Sequence, residues 1–123
     1  MVGLVIVSHS EKIADGIKEM AIQQTGFCQS IESAGGAVDG TLGTSVKKIR
    51  QAIESVDQDE GIVIVADIGS ALMSAAMALE SFHGKIKIAN ASVFEGAMAA
   101  ATALSSKSFE EVLLIAENAK NLI

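Results

Sequence analysis

The sequence predicts an α/β domain in which a mostly parallel, four-stranded sheet carries helices on both of its faces. Short, continuous apolar runs recur along the chain, and strands that are buried on both faces have this pattern. Segments with the apolar spacing of helices separate these runs, and such alternation is typical of parallel sheets. The chain has 123 residues, the usual length of one domain, so we expect a single domain over residues 1–123.

The first strand is predicted at Gly3–Ser8, where a β-branched run ends in polar residues. Ser10 is a suitable N-cap for the helix that follows, and Gly26 is a suitable C-terminal stop for it. A weaker second strand is predicted at residues 28–33, before a polar, glycine-rich stretch over residues 35–45.

The rest of the chain repeats the alternation and then ends in two helices. The second helix is predicted to begin near Thr44 or Ser45. The later elements are a turn at residues 57–61, a strand at Ile62–Ala66, a helix that starts within residues 67–70 and runs to 82, a strand at residues 86–89, and helices over residues 92–104 and 109–121.

The order of the strands follows from their hydrophobicity. The first and third strands are the most apolar, so we place them at the centre, and the weaker second and fourth strands take the edges, which gives the order 2-1-3-4. The chain then reverses direction between strands 1 and 3, and open α/β sheets bind ligands at such a point, outside the carboxyl ends of the strands. The two loops that border this crevice carry His9 and Asp67.

The charge and composition exclude several classes of protein. The net charge is −6 and 50% of the residues are hydrophobic, a composition that disordered chains lack. The negative charge argues against nucleic acid and against an anionic membrane surface as partners. No apolar stretch approaches the ~20 residues of a membrane helix, and the N-terminus has no basic leader, so we expect a cytoplasmic protein.

No metal site and no cofactor are expected. The two histidines, His9 and His83, are well separated, and the one cysteine, Cys28, has no basic residue close to it, which favours a packing role. His83 precedes Gly84 at the predicted end of a helix, where a cation is favourable, so we interpret it as a helix-end residue rather than a ligand.

His9 is the strongest candidate for a catalytic residue. It follows a buried strand and precedes a helix, between Ser8 and Ser10, and it lacks the apolar neighbours of a core histidine. A neutral imidazole is a nucleophile and, once phosphorylated, a good leaving group, so it can relay a phosphoryl group. The positive end of the following helix favours the neutral ring, and its free amides can bind phosphate oxygens. The alternative is a surface histidine without a function.

Asp67 is predicted to face His9 across the crevice. A carboxylate that accepts a hydrogen bond from one ring nitrogen fixes the tautomer and leaves the other nitrogen free to attack. The alternative is a helix N-cap, because Asp67 lies three residues before Ser70.

The glycine-rich stretch over residues 35–45 is a candidate anion site. Its backbone amides can approach an anion, and it ends on Thr44 and Ser45 at the start of a helix. Thr41, rather than lysine, follows Gly40, so the stretch is not a Walker loop, and it contains no G-x-G-x-x-G fingerprint. The alternative is a connecting loop, although loops of this length are usually functional.

Methionines occur at helical spacing near the crevice. Met73 and Met77 are one turn apart in the third helix, and Met98 lies in the next helix. We predict that they belong to the core, and the alternative is an adaptable docking surface beside the crevice.

Three segments of the chain form an ordered pattern. They are Ser8-His9-Ser10, then Gly35-Gly36-x-x-Asp39-Gly40-x-x-Gly43-Thr44-Ser45, and then Asp67-x-Gly69-Ser70-Ala71-x-Met73-x-Ala75 with Ala78, Leu79 and Glu80. Together they resemble the DhaM family, the phosphotransferase subunits of the phosphoenolpyruvate-dependent dihydroxyacetone kinase. That family is related in fold to the EIIA component of mannose-type sugar phosphotransferase systems, and the resemblance covers nearly the whole chain.

The resemblance implies that His9 is phosphorylated, with Asp67 beside its ring and Gly36, Thr44 and Ser70 around the phosphate. His9 would accept the group from the phosphohistidine of HPr and pass it to ADP held by the DhaL subunit, which acts with the substrate-holding subunit DhaK on dihydroxyacetone. The resemblance also implies a homodimer. Longer members have fused HPr-like and Enzyme I-like domains, which this chain lacks, so it would rely on separate carriers.

Three other functions stay open at this point. In the same class is the EIIA component of a mannose-type sugar phosphotransferase system. In a different class is a non-catalytic module that binds a small anion or a protein. The third is a phosphatase with a histidine nucleophile, which is disfavoured because the one arginine, Arg50, lies in mid-helix and leaves no arginine cluster.

Overall fold

The computed structural model describes residues 1–26, 30–56 and 59–119. Strands and helices alternate along the chain, which ends in a pair of helices. The strands are β1 (Gly3–Ser8), β2 (Ile31–Gly35), β3 (Ile62–Ala66) and β4 (Ile86–Ile88), and the helices are α1 (Glu11–Thr25), α2 (Val46–Ser55), α3 (Gly69–Leu79), α4 (Val93–Ala101) and α5 (Phe109–Glu117).

The four strands form one parallel sheet in the order β2-β1-β3-β4, which confirms the predicted fold class and strand order. β1 and β3 are buried along their whole lengths, as expected for central strands. Ser8 lies opposite Gly35 of β2, and Val7 lies opposite Ala66 of β3. The three strands therefore end nearly level, and the residues that follow them meet at the carboxyl edge of the sheet.

Helices cover both faces of the sheet. Successive side chains of a strand point to opposite faces. Leu4 and Ile6 of β1 pack in the cluster that contains buried residues of α1, α4 and α5, whereas Val5 and Val7 pack in the cluster with α2 and α3. The buried faces of α3 and α4 consist almost entirely of alanine, which lets these helices lie close to the strands. A core of this kind explains how the chain folds with only 3% aromatic residues.

The boundaries of five elements differ from the prediction, and for β4, which ends at Ile88 instead of residue 89, the difference is one residue. β2 lies at Ile31–Gly35 rather than at residues 28–33, because its pairing with β1 continues to the last residue of β1. α3 ends at Leu79 and α4 ends at Ala101, and the turns that follow have backbone hydrogen bonds to the third rather than the fourth preceding residue. α5 ends at Glu117, earlier than predicted. Outside the described residues lie Cys28 and Gln29 of the predicted second strand, residues 57 and 58 of the predicted turn, and residues 120 and 121 of the last predicted helix.

No helix among the described residues is both long and apolar enough to cross a bilayer. The longest described helix, α1, has 15 residues, and four of its exposed residues are charged, namely Glu11, Lys12, Asp15 and Glu19.

Gly35 lies where a side chain has no room, because β2 ends directly against the start of α1. A Cβ atom built on Gly35 would lie 2.5 Å from the carbonyl oxygen of Ser10 and 2.7 Å from Cβ of Ala14. We therefore expect Gly35→Ala to lower the free energy of unfolding by about 1–3 kcal/mol, the usual cost of overpacking.

A matched substitution in α1 should have the opposite effect. Gly16 is exposed, and a Cβ atom built on it has no neighbour within 4 Å. Gly16→Ala should therefore raise the free energy of unfolding by about 0.5–1 kcal/mol, because alanine has the higher helix propensity. Urea denaturation of both variants measures the two effects. A Gly35→Ala variant as stable as the wild type would show that α1 can move away from β2 without cost.

Candidate functional site

The carboxyl ends of β1 and β3 bring His9 and Asp67 together. His9 is the first residue after β1, Asp67 is the first residue after β3, and the two strands are neighbours in the sheet. The amide of Asp67 also donates to the carbonyl of Val7 at 3.2 Å, which continues the pairing by one residue. The predicted strand order thus accounts for the contact between two residues that are 58 positions apart in the chain.

The ring of His9 has a partner at each nitrogen. Nδ1 lies 2.9 Å from Oδ1 of Asp67 in a half-buried contact. Nε2 lies on the exposed side of the ring and contacts the hydroxyl of Ser70 in the first turn of α3. About a quarter of the His9 side chain, 26%, is exposed, against 18% for Asp67. The structure therefore brings His9, Asp67 and Ser70 into one cluster with Nε2 at its surface.

The carboxylate of Asp67 accepts hydrogen bonds at both oxygens. Oδ2 accepts from the backbone amide of His9 at 3.0 Å and from the hydroxyl of Ser8 at 2.8 Å, and Oδ1 accepts from the amide of Ile68 at 2.8 Å. Partial burial acts to raise the pKa of Asp67, but the hydrogen bonds from His9, Ser8 and Ile68 outweigh it and hold the pKa below its ordinary value. Asp67 is therefore ionised at neutral pH.

The ionised carboxylate fixes the position of the proton on the His9 ring. A carboxylate only accepts hydrogen bonds, so Nδ1 carries the proton and donates it to Oδ1 of Asp67. In the neutral form of the ring, Nε2 then keeps its lone pair and accepts from the hydroxyl of Ser70. That form of the ring presents a nucleophilic nitrogen at the protein surface.

The two loops that carry His9 and Asp67 enter their helices differently. Ser10 is the N-cap of α1, as predicted, and its hydroxyl accepts from the amide of Ile13 at 3.3 Å. The N-cap of α3 is Ile68, which makes no side-chain capping bond. The capping alternative for Asp67 is therefore wrong, since this carboxylate precedes the cap and is turned toward His9.

The glycine-rich stretch supports the backbone of the loop that holds His9. The amide of Gly36 donates to the carbonyl of Ser8 at 3.1 Å, and the amide of Gly43 donates to the carbonyl of His9 at 2.9 Å. Gly36 and Gly43 have φ angles of 75° and 141°, values that glycine adopts without steric cost. Both amides are engaged within the protein, so the stretch contributes to the site by holding the loop rather than by offering these two donors to an anion.

Thr44 connects the end of the glycine-rich stretch to α3. Its hydroxyl lies 2.7 Å from the hydroxyl of Ser74. Ser74 is one helical turn after Ser70, and residues four positions apart in a helix are neighbours on its surface. Thr44 therefore reaches the helix face that carries the hydroxyl next to Nε2 of His9.

Lys48 connects three segments that meet behind His9. Its ammonium donates to the carbonyl of Gly35 and lies 2.9 Å from Oε2 of Glu11, so a cation of α2 holds the end of β2 to the start of α1. The side chain of Lys48 is 25% exposed. Sequence reasoning singled out neither Lys48 nor Ser74, because both occupy ordinary helix positions and no local motif marks them.

The prediction that Met73 and Met77 belong to the core is wrong. Their side chains are 70% and 56% exposed. α3 buries Ala71, Ala75 and Ala78 instead, since only small side chains fit between this helix and the sheet. Met98, by contrast, is partly buried and packs against the core, as predicted.

In the ranges 1–26, 30–56 and 59–119, no group of three histidine, cysteine or carboxylate side chains could hold a metal ion. His83 is exposed and follows the carboxyl end of α3, whereas His9 contacts the amino end of that helix. The two histidines therefore lie at opposite ends of α3 and form no common site.

Comparison with known proteins finds a family model and close relatives. The model EIIA-man, described as PTS system fructose IIA component, matches residues 3–114. The chain is 41% identical over 118 residues to the PEP-dependent dihydroxyacetone kinase 2, phosphoryl donor subunit DhaM, of Listeria innocua, and the match covers 92% of this chain and 94% of that protein. It is 38% identical to the PEP-dependent dihydroxyacetone kinase, phosphoryl donor subunit DhaM, of Escherichia coli K12 over 86% of this chain, and spans 24% of that longer protein. The fold is also that of a crystal structure of the phosphotransferase system component EIIA from Streptococcus agalactiae, with a TM-score of 0.69 at 18% identity. The match covers 99% of this chain and 94% of that chain.

Proposed function

The chain belongs to the mannose-type EIIA family and, within it, to the DhaM phosphoryl donor subunits of PEP-dependent dihydroxyacetone kinases, and on this premise we propose that it is a phosphohistidine carrier. His9 accepts a phosphoryl group from the phosphohistidine of HPr and transfers it to ADP bound on DhaL, the nucleotide-holding subunit, which works with DhaK on dihydroxyacetone. The observation that supports this most directly is the ring of His9, whose Nδ1 is held by Asp67 while Nε2 faces outward.

In the accepting step, Nε2 of His9 attacks the phosphorus of the donor. The lone pair of Nε2 forms the new P–N bond, and the donor nitrogen leaves with the electron pair of the bond that breaks. The proton on Nδ1 stays on the ring, where the ionised Asp67 stabilises the positive charge that the ring gains. In the donating step, an oxygen of the terminal phosphate of ADP attacks the same phosphorus, and Nε2 leaves with its lone pair restored.

In this proposal Ser70 binds the phosphoryl group, and Thr44 and Gly36 support the site around it. The hydroxyl of Ser70 donates to Nε2 in the free protein, and it can turn to donate to a phosphoryl oxygen once Nε2 is occupied. Thr44 reaches the same helix face through Ser74. Gly36 acts through the backbone, because its amide holds the carbonyl of Ser8 and so fixes the loop that presents the ring. No bound cofactor is part of the proposal, which also includes a cytoplasmic homodimer.

The test is to incubate the chain with phosphoenolpyruvate, Enzyme I and HPr and to measure its intact mass. We expect the mass to rise by one phosphoryl group, and the adduct to be labile in acid and stable in alkali, as a phosphohistidine is. Addition of DhaK, ADP-loaded DhaL and dihydroxyacetone should then remove the adduct and produce dihydroxyacetone phosphate.

Each alternative function gives a different outcome in this mixture. A non-catalytic anion-binding module acquires no covalent adduct, and a phosphatase releases free phosphate. A chain that is phosphorylated by HPr but does not restore dihydroxyacetone phosphorylation in the complete mixture would contradict the proposed acceptor, and would instead match the EIIA component of a mannose-type sugar system.

A further inference from the structure

The hydroxyl of Ser8 is a polar group at the fully buried end of an apolar strand. Every residue of β1 is buried, and the side chain of Ser8 has no exposed area. A buried hydroxyl costs free energy unless it is hydrogen-bonded, and an apolar side chain at this position would avoid that cost. Ser8 takes no part in the transfer steps proposed above, so its hydrogen-bond partners decide what the hydroxyl contributes.

The two hydrogen bonds of Ser8 join the start of α1 to Asp67. The amide of Ser10, the N-cap of α1, donates to Oγ of Ser8 at 3.1 Å. The hydroxyl in turn lies 2.8 Å from Oδ2 of Asp67. An ionised carboxylate only accepts hydrogen bonds, so the proton of the hydroxyl points to Asp67 and its oxygen faces the amide. The hydroxyl is therefore a charge-assisted donor with a fixed direction.

Ser8 restricts the rotation of the carboxylate that holds the His9 ring. Oδ2 of Asp67 accepts from the hydroxyl of Ser8 and from the amide of His9. Oδ1 accepts from the amide of Ile68 and from Nδ1 of His9. The terminal torsion of an aspartate has broad wells, so donors at both oxygens keep the group in one plane. Of these four donors, two are backbone amides and one is the ring itself, so Ser8 is the side chain that holds the carboxylate independently of the ring.

We propose that Ser8 is a positioning residue for phosphoryl transfer, because its hydroxyl keeps the carboxylate of Asp67 in the orientation that binds Nδ1 of His9. This inference rests on the proposed function and adds a residue that acts on the ring through Asp67. Without the hydroxyl, Oδ2 keeps one of these donors and the carboxylate can turn, which moves Oδ1 away from Nδ1. A ring that is held less firmly populates the tautomer whose proton is on Nε2, and that form cannot attack phosphorus.

The test compares Ser8→Ala, which removes the donor, with Ser8→Cys, which keeps most of the volume and is a weak donor. With phosphorylated HPr, Ser8→Ala should lower the maximal rate of phosphorylation about tenfold, a modest effect for misplacement of a reacting group. The KM for HPr should be unchanged, because a buried hydroxyl cannot contact another protein. Ser8→Cys should have an intermediate rate. With phosphoramidate as a small donor, both variants should lose rate by the same factors as with HPr.

A second measurement separates positioning from a general loss of structure. Nitrogen NMR spectra of the His9 ring report which nitrogen carries the proton in the neutral form. The wild type should show the proton on Nδ1, whereas Ser8→Ala should show a measurable population with the proton on Nε2. Ser33→Ala is the matched control, since Ser33 lies in the neighbouring strand β2 and its hydroxyl donates to Oδ1 of Asp15 at 2.6 Å, away from the ring. Its rates and its tautomer should equal those of the wild type.

The outcomes decide between positioning and packing. Wild-type rates and an unchanged tautomer in Ser8→Ala, or in Ser8→Cys if Ser8→Ala does not fold, would overturn the proposal. A lower rate without a change of tautomer would also overturn it, since the hydroxyl would then act on packing alone. So would a higher KM for HPr with no loss toward phosphoramidate. A wild-type chain that accepts from phosphoramidate but not from HPr would contradict the proposed function, and the role of Ser8 would then be decided by the rates with phosphoramidate.

Discussion

Replacing His9 by alanine should abolish phosphorylation of the chain by phosphoenolpyruvate, Enzyme I and HPr, with a loss of at least about 10³-fold in rate. The substitution removes the nitrogen that forms the P–N bond, and the hydroxyl of Ser70 loses the imidazole nitrogen that it contacts. The fold should be retained, since the side chain of His9 lies partly exposed in a loop and its backbone amide still donates to Asp67. Intact mass after incubation, together with urea denaturation, measures both expectations.

His83→Ala is the control for this experiment. His83 is the other histidine of the chain and is exposed beyond the far end of α3, so its replacement should leave the rate and the stability unchanged. An adduct of wild-type size on His9→Ala would place the phosphoryl group on another residue. Loss of the adduct in His83→Ala with retention in His9→Ala would assign the carrier role to His83 and contradict the role of His9.

The centre of the sheet and the residues that it positions could be predicted because the hydrophobicity of each strand indicates whether the strand is central or at an edge. Gly3–Ser8 and Ile62–Ala66 are continuous apolar runs, whereas the edge strand Ile86–Ile88 carries the exposed Lys87. Placing the first two at the centre of a parallel sheet fixes the positions of the residues that follow them. The contact between His9 and Asp67 is therefore a consequence of the strand order and needs no further information.

Other parts of the site depend on contacts that no local pattern specifies. Lys48 bonds to Gly35 and Glu11, which lie 13 and 37 positions away in the chain, and its role appears only when α2 is packed against the sheet. Met73 shows a second limit, since α3 has apolar residues all around and hydrophobic spacing alone does not choose the buried face. The signal that chooses it is size: the residues that pack closest to the sheet are alanines.

Replacing Asp67 by asparagine should slow phosphorylation by HPr by at least about 100-fold, as expected when the carboxylate that orients a catalytic histidine is lost. Asparagine has the same shape, but its amide group can donate to Nδ1. The ring then carries its proton on Nε2, where it blocks the lone pair that must attack phosphorus. Asp15→Asn is the matched control, because Asp15 is an exposed carboxylate of α1 that accepts a hydrogen bond from Ser33 away from the ring. A phosphorylation rate for Asp67→Asn equal to that of the control would show that Asp67 does not orient the ring of His9.

The same substitution should make the stability of the fold depend less on pH. Because hydrogen bonds hold the pKa of Asp67 below its ordinary value of 3.8, the ionised form stabilises the folded state. This contribution is fully present above the ordinary pKa and is lost as the pH falls through the lower, folded-state value. We therefore expect the wild type to exceed Asp67→Asn in free energy of unfolding by about 1–3 kcal/mol at neutral pH, because the NH2 group that faces Nδ1 in the variant leaves the amide of Ile68 without its acceptor. This difference should shrink at pH values below about 4. Urea denaturation of both proteins across that range measures the difference. A difference that stays constant with pH would mean that Asp67 is not ionised beside His9. The assignment of the proton to Nδ1 would then fail as well.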